Sequence, residues 1–416
     1  VQNPLASSRV RAGAGATAVA ALAALTLAAC GSDGGDAATK PSGSATTAGG
    51  AAHVAVTLTS AGGSDACRLD TSSVPAGPVT FTVTNQDSAV ISEVELLADQ
   101  RIVGEKENLA PGLAPVSFTV TLDGGSYSLY CPGAATDTVP FTVTGQAAAG
   151  PTGGAAATLE EGTKTYATYV DGVIASMVTA VDNLKTAVDS GDLAAAQKAY
   201  AAARPFYERV ESDVDGFVLP GTDPTDNSGN LDYLVDMRAS NLDDAVGWHG
   251  FHAVEKDLFE AKAITAGTKT LTAELQTNVG KLADLSKTLT YKPEDLANGA
   301  AGLLEEVQAN KIKGEEELYS HIDLVDFAAN VEGAEQAFAN LEAGLEQIDP
   351  DLTATVSQRF DDVRTLLKDY EDPNALGGYK SYTAALKASD SAKLSQAIQA
   401  LQEPLSSIAE KVATAQ

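Results

Sequence analysis

Across residues 146–157 the chain is almost all Gly, Ala, Pro and Thr, and the spacing of its apolar residues differs on the two sides. Before this stretch they recur at every second position; after it they recur at helical spacing. A period of two belongs to half-buried strands and a period of 3.6 to amphipathic helices. A fold of one class throughout is therefore excluded. The 416 residues leave length for an all-β domain followed by an all-α one.

On the amino-terminal side, Val54, Val56 and Leu58 alternate with small or polar residues. So do Val79, Phe81 and Val83, then Phe118, Val120 and Leu122, then Val139, Phe141 and Val143. Pro75-Ala76-Gly77, Asn85-Gln86-Asp87 and Asp123-Gly124-Gly125 punctuate them. Short strands at this spacing predict a small antiparallel sandwich over 53–145. Its size and strand pattern resemble a cupredoxin domain, which implies a Greek-key sandwich. A blue-copper centre needs two His, a Cys and usually a Met. Here the domain has His53 at its edge and neither His nor Met after Cys131, so that centre is not expected. Cys67 and Cys131 are expected to form a disulfide in an oxidising compartment. It would contribute roughly 4 kcal/mol by restricting the unfolded chain. The alternative is thiolate ligation together with Glu93 or Glu95, holding copper or a second iron.

On the carboxy-terminal side, Tyr166, Tyr169, Val170, Val173, Ile174, Met177, Val181 and Leu184 form one helical stripe. Ser190-Gly191-Asp192, Pro293 and Asp349-Pro350-Asp351 read as helix stops and starts. An up-and-down helical bundle, or two related bundles, is expected over 158–416.

The first thirty residues read as a processing segment. Arg9 and Arg11 precede an apolar stretch from Ala14 to Ala29, too short to span a bilayer comfortably. Leu27-Ala28-Ala29-Cys30 resembles a bacterial lipobox, which implies a lipoprotein signal peptide over 1–30 and lipidation of Cys30. An ordinary secretory signal with a chance cysteine is the alternative. Residues 31–52 read as a flexible tether. An anchor there places the protein outside the cytoplasm, at the outer face of the bacterial cytoplasmic membrane. With 27 basic against 56 acidic residues the net charge is -29, which excludes nucleic acid as a partner.

The chemistry concentrates in three motifs. In Gly250-Phe251-His252-Ala253-Val254-Glu255, within a run from Asn241 to Phe259 read as one helix, His252 and Glu255 share a face. Di-metal carboxylate bundles place a Glu and a His at this offset. Alone, H-x-x-E is a weak signal, equally satisfied by a solvated pair. Glu208 and Glu211, in Tyr207-Glu208-Arg209-Val210-Glu211, are a second same-face pair. Together these donors suit iron, manganese or calcium. The third motif runs from Lys311-Ile312-Lys313-Gly314-Glu315-Glu316-Glu317 through Tyr319-Ser320-His321 to Asp326-Phe327.

In this order the three motifs resemble the imelysin-like, HxxE-containing family. With a cupredoxin-like domain ahead of them, and with Ser92-Glu93-Val94-Glu95-Leu96 and Glu105-Lys106-Glu107-Asn108-Leu109-Ala110-Pro111-Gly112 inside it, the chain is similar to the EfeO-type iron-uptake lipoproteins. The resemblance implies an iron site (Fe2+ or Fe3+) at His252, Glu255, Glu208 and Glu211. Asp236, in a D-x-R element with Arg238, joins them, and Glu315 is a further candidate. His249 reads as the partner of a neighbouring acid, His321 as an outer hydrogen bonder, and Trp248 as a packing residue. The implied function is the extracytoplasmic component of an EfeUOB-type system, delivering iron to a permease beside a haem peroxidase, with no catalysis of its own. The competing class is a metallopeptidase, but H-E-x-x-H is absent and Lys256 breaks H-x-x-E-H. A binder of polyanionic sugars is disfavoured by the charge.

Overall fold

A computed structural model of the chain describes residues 50–98, 101–146, 153–214, 216–223 and 225–415. The signal segment, Cys30 and most of the tether lie outside them.

Among the described residues the amino-terminal region holds nine strands: β1 (Ala52–Ala61), β2 (Ser64–Leu69), β3 (Ser73–Pro75), β4 (Gly77–Asn85), β5 (Val94–Ala98), β6 (Arg101–Lys106), β7 (Val116–Leu122), β8 (Gly125–Tyr130) and β9 (Thr138–Thr144). They form a four-stranded sheet, β2-β1-β4-β7, and a five-stranded sheet, β3-β9-β8-β5-β6. The alternating apolar residues face inward between the sheets, where the rings of Phe81 and Phe141 meet edge to face at 5.3 Å. The sandwich is mixed rather than antiparallel. β1 pairs with β4 in parallel, as does β3 with β9. The chain leaves the first sheet through β3 and re-enters it beside β1 running the same way, a crossing that strand periodicity does not record. Cys67 on β2 and Cys131 after β8 are joined by a disulfide with Cα atoms 6.3 Å apart, so neither sulfur is a thiolate ligand. Glu93 lies just before β5, and Glu95 faces Glu105 and Tyr130 in the ladder.

The carboxy-terminal region is helical: α1 (Gly154–Ser190), α2 (Leu193–Glu208), α3 (Glu211–Val214), α4 (Leu231–Asp236), α5 (Gly250–Glu255), α6 (Ala266–Ser286), α7 (Pro293–Glu306), α8 (Asp323–Ile348), α9 (Pro350–Lys368), α10 (Ala384–Leu405) and α11 (Ile408–Ala413). α1 buries its stripe against α2, α6 and α8. Its end is set by Gly191 in the left-handed region at φ 78°, and α2 starts where Asp192 accepts the Ala195 N–H at 3.0 Å. Pro293 and Pro350 occupy first-turn positions, where their missing N–H costs nothing.

Two expected helices are shorter than their patterns. The run from Asn241 to Phe259 is helical only from Gly250, continuing as a π-helical turn over Lys256–Glu260. Gly247 takes φ 91° and Gly250, the first residue of α5, takes φ 79°, so no right-handed helix runs through them. Glu208 and Glu211 are not on one helix either. α2 ends at Glu208, whose carbonyl accepts the Asn330 side-chain amide at 2.9 Å, and α3 begins at Glu211.

The two regions meet along β7, the edge strand of the first sheet. Asn298 of α7 donates to the Thr119 carbonyl at 2.6 Å, and Glu294 accepts the Thr121 N–H at 3.1 Å. These side chains occupy the edge that a further strand would otherwise pair with. Lys106 bonds Glu305 at 2.6 Å, next to Glu306 at the end of α7. Among the described residues no helix is long and apolar enough to cross a membrane.

Candidate metal centre

The helical region carries a buried charged cluster at its centre. α2 brings Arg204 and Glu208, α4 ends on Asp236, and α5 brings His252 and Glu255. α7 ends on Glu306 and runs into a π-helical turn, Val307–Lys311, which ends on Lys311. Glu316 and Glu317 lie in the loop before α8, whose first turn adds Asp323 and Asp326. Every one of these side chains is buried. π turns insert one residue into a helix and often mark functional sites. Here one follows Glu255 and the other follows Glu306.

His252 is the hub. Its Nδ1 lies 3.3 Å from Glu255 Oε2 and 3.9 Å from Glu317 Oε1. Its Nε2 lies 3.2 Å from Glu316 Oε1 and 3.6 Å from Asp236 Oδ1. The other Glu255 oxygen is pinned by the backbone N–H groups of Tyr319 and Ser320, both at 2.7 Å. Two sets of donor atoms converge closely enough to hold an ion: Asp236, His252 and Glu316, and His252, Glu255 and Glu317, each within 4.8 Å of one another.

The cluster's own cations face several of these same acids and their neighbours. Arg204 contacts Glu208 and Asp236, with Glu317 at 3.0 Å and Asp326 at 3.3 Å, and lies over the Phe251 ring at 5.1 Å. Arg238 bonds Glu306 at 2.6 Å and Glu316 at 3.1 Å. Lys311 Nζ lies among Glu208, Glu211, Glu306 and Glu316. Even so, the carboxylates outnumber Arg204, Arg238, Lys311 and His252. A buried surplus of negative charge must be relieved by protons or by a further cation.

The proton affinities follow from this crowding. Burial, opposed by Arg204 and His252, leaves Asp236 raised to about 7. Burial and then Glu255 push Glu317 up to about 8, and burial lifts Asp323 to about 7. Burial alone would lower His252, but Asp236, Glu255 and Glu316 together hold it well above its ordinary value. Glu316 lies well below the carboxylate range, because Lys311, Arg238 and His252 outweigh its burial.

The expected ligands divide accordingly. His252, Glu255 and Asp236 come together. Glu208 and Glu211 join the same cluster, but around Lys311 and Arg204 instead of His252. Glu315 is exposed, and its two successors, Glu316 and Glu317, point inward in its place. His321 is exposed, so it does not support the cluster. His249 pairs with Glu274 at 3.1 Å. Trp248 donates to the Met237 carbonyl at 2.8 Å, and Lys256 sits over its ring. Sequence reasoning missed Glu316, Glu317, Lys311 and Arg204. For Arg204 there was a signal, since it precedes Glu208 by one helical turn.

The imelysin profile of peptidase family M75 matches residues 162–408. An Efem/EfeO family lipoprotein of Staphylococcus aureus (strain MRSA252) is 35% identical over 259 residues, spanning 62% of this chain and 86% of the relative. One from Staphylococcus haemolyticus (strain JCSC1435) is 34% identical over 256 residues, spanning 61% and 84%. A solved Parabacteroides distasonis chain, whose name includes the words "iron-regulated protein A precursor", has 17% identity and a TM-score of 0.46, covering 64% of this chain and 96% of that one.

Proposed function

The chain belongs to the imelysin family, among its Efem/EfeO lipoproteins, and we propose that it is the extracytoplasmic iron-binding component of an EfeUOB-type uptake system. It captures iron, as Fe2+ or Fe3+, and passes it to a membrane permease that works beside a haem peroxidase. Iron is cargo, and the protein catalyses nothing. Cys30 carries the lipid that holds it at the outer face of the cytoplasmic membrane. The two-sheet region is a cupredoxin-like, Greek-key domain over 53–145, and the helical domain occupies 158–416. Copper or a second iron at Glu93 and Glu95 would need the sulfurs of Cys67 and Cys131 free.

The observation that carries this reading is the set around His252. Nδ1 of His252, Glu255 and Glu317 form the ligand group, a nitrogen and hard oxygens of the kind iron accepts. The Nε2–H then donates to Glu316, which is the ionised carboxylate that orients a ligating imidazole. Glu208, Glu211 and Asp236 shape the field around that group. The metallopeptidase reading asks for an open metal position that a peptide can reach. His252 is only 1% exposed and Glu255 0%, which disfavours it.

The test is iron titration of the purified protein and its variants, with helicity followed by circular dichroism. His252→Ala and Glu317→Gln should each weaken binding on the order of a hundredfold or more, and Glu316→Gln by about ten- to a hundredfold. Losses at His252 and Glu255 should not add, because both serve one ion. Parent-like binding by folded His252→Ala would place the site elsewhere. Metal-dependent peptide cleavage abolished by Glu255→Ala would favour the peptidase.

A further inference from the structure

One carboxylate is held from both regions of the chain. Glu306 ends α7, and its Oε2 accepts Arg238 Nη1 at 2.6 Å and the Asn310 side-chain amide at 2.7 Å. Its Oε1 is buried, and among the described residues no N–H or hydroxyl donates to it. What faces Glu306 is another carboxyl, that of Glu107, which follows β6 and forms a side-chain hydrogen bond with it. Two carboxyls share a hydrogen bond only when one of them carries the proton. The surrounding charges decide which. Glu107 is faced by Glu306, Arg238 and Glu93, and burial, with Glu306 next, lifts it well above the carboxylate range. Against its own burial, Arg238, Lys311 and the bond to Glu107 hold Glu306 at about 2. The proton therefore sits on Glu107, and Glu306 is the acceptor.

From Glu306 the contacts run on to His252. Arg238 Nη1, bonded to Glu306, also donates to Glu316 Oε2 at 3.1 Å, and Glu316 Oε1 lies 3.2 Å from His252 Nε2. We propose that Glu107 of the two-sheet region is a positioning residue for the His252 centre, donating its acid O–H to Glu306 so that Arg238 remains on Glu316. A buried oxygen left without a donor is costly. A Glu306 deprived of Glu107 would therefore draw on the cations beside it, Arg238 and Lys311. Both also face Glu316, Lys311 at 3.5 Å. Glu316 would then lose the partners that fix its carboxylate toward the imidazole, and a ligating imidazole takes its orientation from such a carboxylate. Lys106 and Glu305, one residue earlier on each side, form a bridge at 2.6 Å that joins the same two elements. That bridge separates simple docking of the two regions from the action of Glu107. The inference rests on the proposed function for the ion at His252.

The experiment titrates iron into the purified protein and its variants, with helicity followed by circular dichroism. Glu107→Met keeps the length of the side chain without a donor, and it should weaken binding by about two- to thirtyfold. Glu107→Ala should do the same, and either one serves if the other does not fold. Glu107→Gln, whose amide can donate to Glu306, should stay within about twofold of the parent. Lys106→Met, which removes only the bridge to Glu305, should also stay within about twofold. Because Glu107 acts through Glu316, adding Glu107→Met to Glu316→Gln should cost little more. Parent-like binding by folded Glu107→Met or Glu107→Ala overturns the proposal. An equal loss in Glu107→Gln or Lys106→Met overturns it too, since docking alone would then account for the effect. So does a full further loss when Glu107→Met is placed on Glu316→Gln. A parent that binds no iron, or a folded His252→Ala that binds like the parent, defeats the proposed function and this proposal with it. Failure of this proposal alone leaves iron binding at His252 intact, so the two failures read differently.

Discussion

At the scale of single residues, the cluster is a store of protons that a metal ion must displace. In the metal-free protein the acids raised to about 7 and 8, Asp236 and Glu317, still hold protons near neutrality. His252 stays an imidazolium above its ordinary 6.5. An ion coordinates only the deprotonated groups. Iron affinity should therefore rise with pH through the window from about 7 to 8 and fall below it, with proton release on binding. Calorimetry in buffers of different ionisation enthalpy measures that release; affinity independent of pH would contradict the arrangement. Stability carries the same sign. A carboxyl whose folded affinity for protons is raised contributes stability that is complete below its ordinary value of about 4 and is lost progressively as pH rises from there through the raised value. His252 acts likewise. Glu316, held low, acts oppositely and loses its contribution only in acid. The metal-free protein should then lose thermal stability as pH climbs from about 5 to about 8, and bound metal should restore it.

At the scale of elements, the site depends on short pieces that cannot stand alone. α5 has only six residues, and isolated helices of that length are unstable in water. Its position is set at Gly250, where φ is 79° and an added Cβ would fall on the Val235 carbonyl oxygen. That contact lays the end of α4, with Asp236, beside His252. Gly250→Ala should destabilise by about 2–4 kcal/mol, since it combines left-handed strain with a backbone clash, and should weaken iron binding as well. Gly172 on α1 is the control: no atom lies within 4 Å of its added Cβ. Gly172→Ala should be neutral or stabilising by up to about 1 kcal/mol. Denaturant midpoints for both decide it, and equal effects would mean that Gly250 does not position α5. The helical stripe of α1 was legible because its period runs over many turns. α5 was over-read because the apolar pattern continues through Gly247 and Gly250, whose backbone angles stop the helix.

At the scale of the whole molecule, the β region is braced on α7 through Asn298, Glu294 and Lys106, close to where Glu306 enters the cluster. The proposed anchor acts at this scale too. In the proposed reading it is the lipid on Cys30 that holds the protein at the membrane. Cys30→Ser should move the protein from the membrane to the soluble fraction, while the parent's mature amino terminus carries lipid mass. A variant that stays in the membrane pellet, with a parent bearing no lipid, would rule the anchor out.

The order of strands then helices, and the caps at Asp192, Pro293 and Asp349, are properties of neighbouring residues, so they can be read from the chain alone. Period and capping act within a few residues of one another. That His252 and Glu255 share a face is of the same kind. The make-up of the cluster is not. Glu315, Glu316 and Glu317 stand in a loop with no period, and only the packing of α8 turned the last two inward. Arg204 reaches Asp326 across 122 residues, and Glu208 faces Lys311 because the chain breaks after α2 and a π turn follows α7. Those contacts exist only once α2, α4, α5, α7 and α8 have met. Which carboxylates gather around His252 and which face a lysine was therefore settled by tertiary packing, because burial in one shared low-dielectric space is what sets the charges competing there.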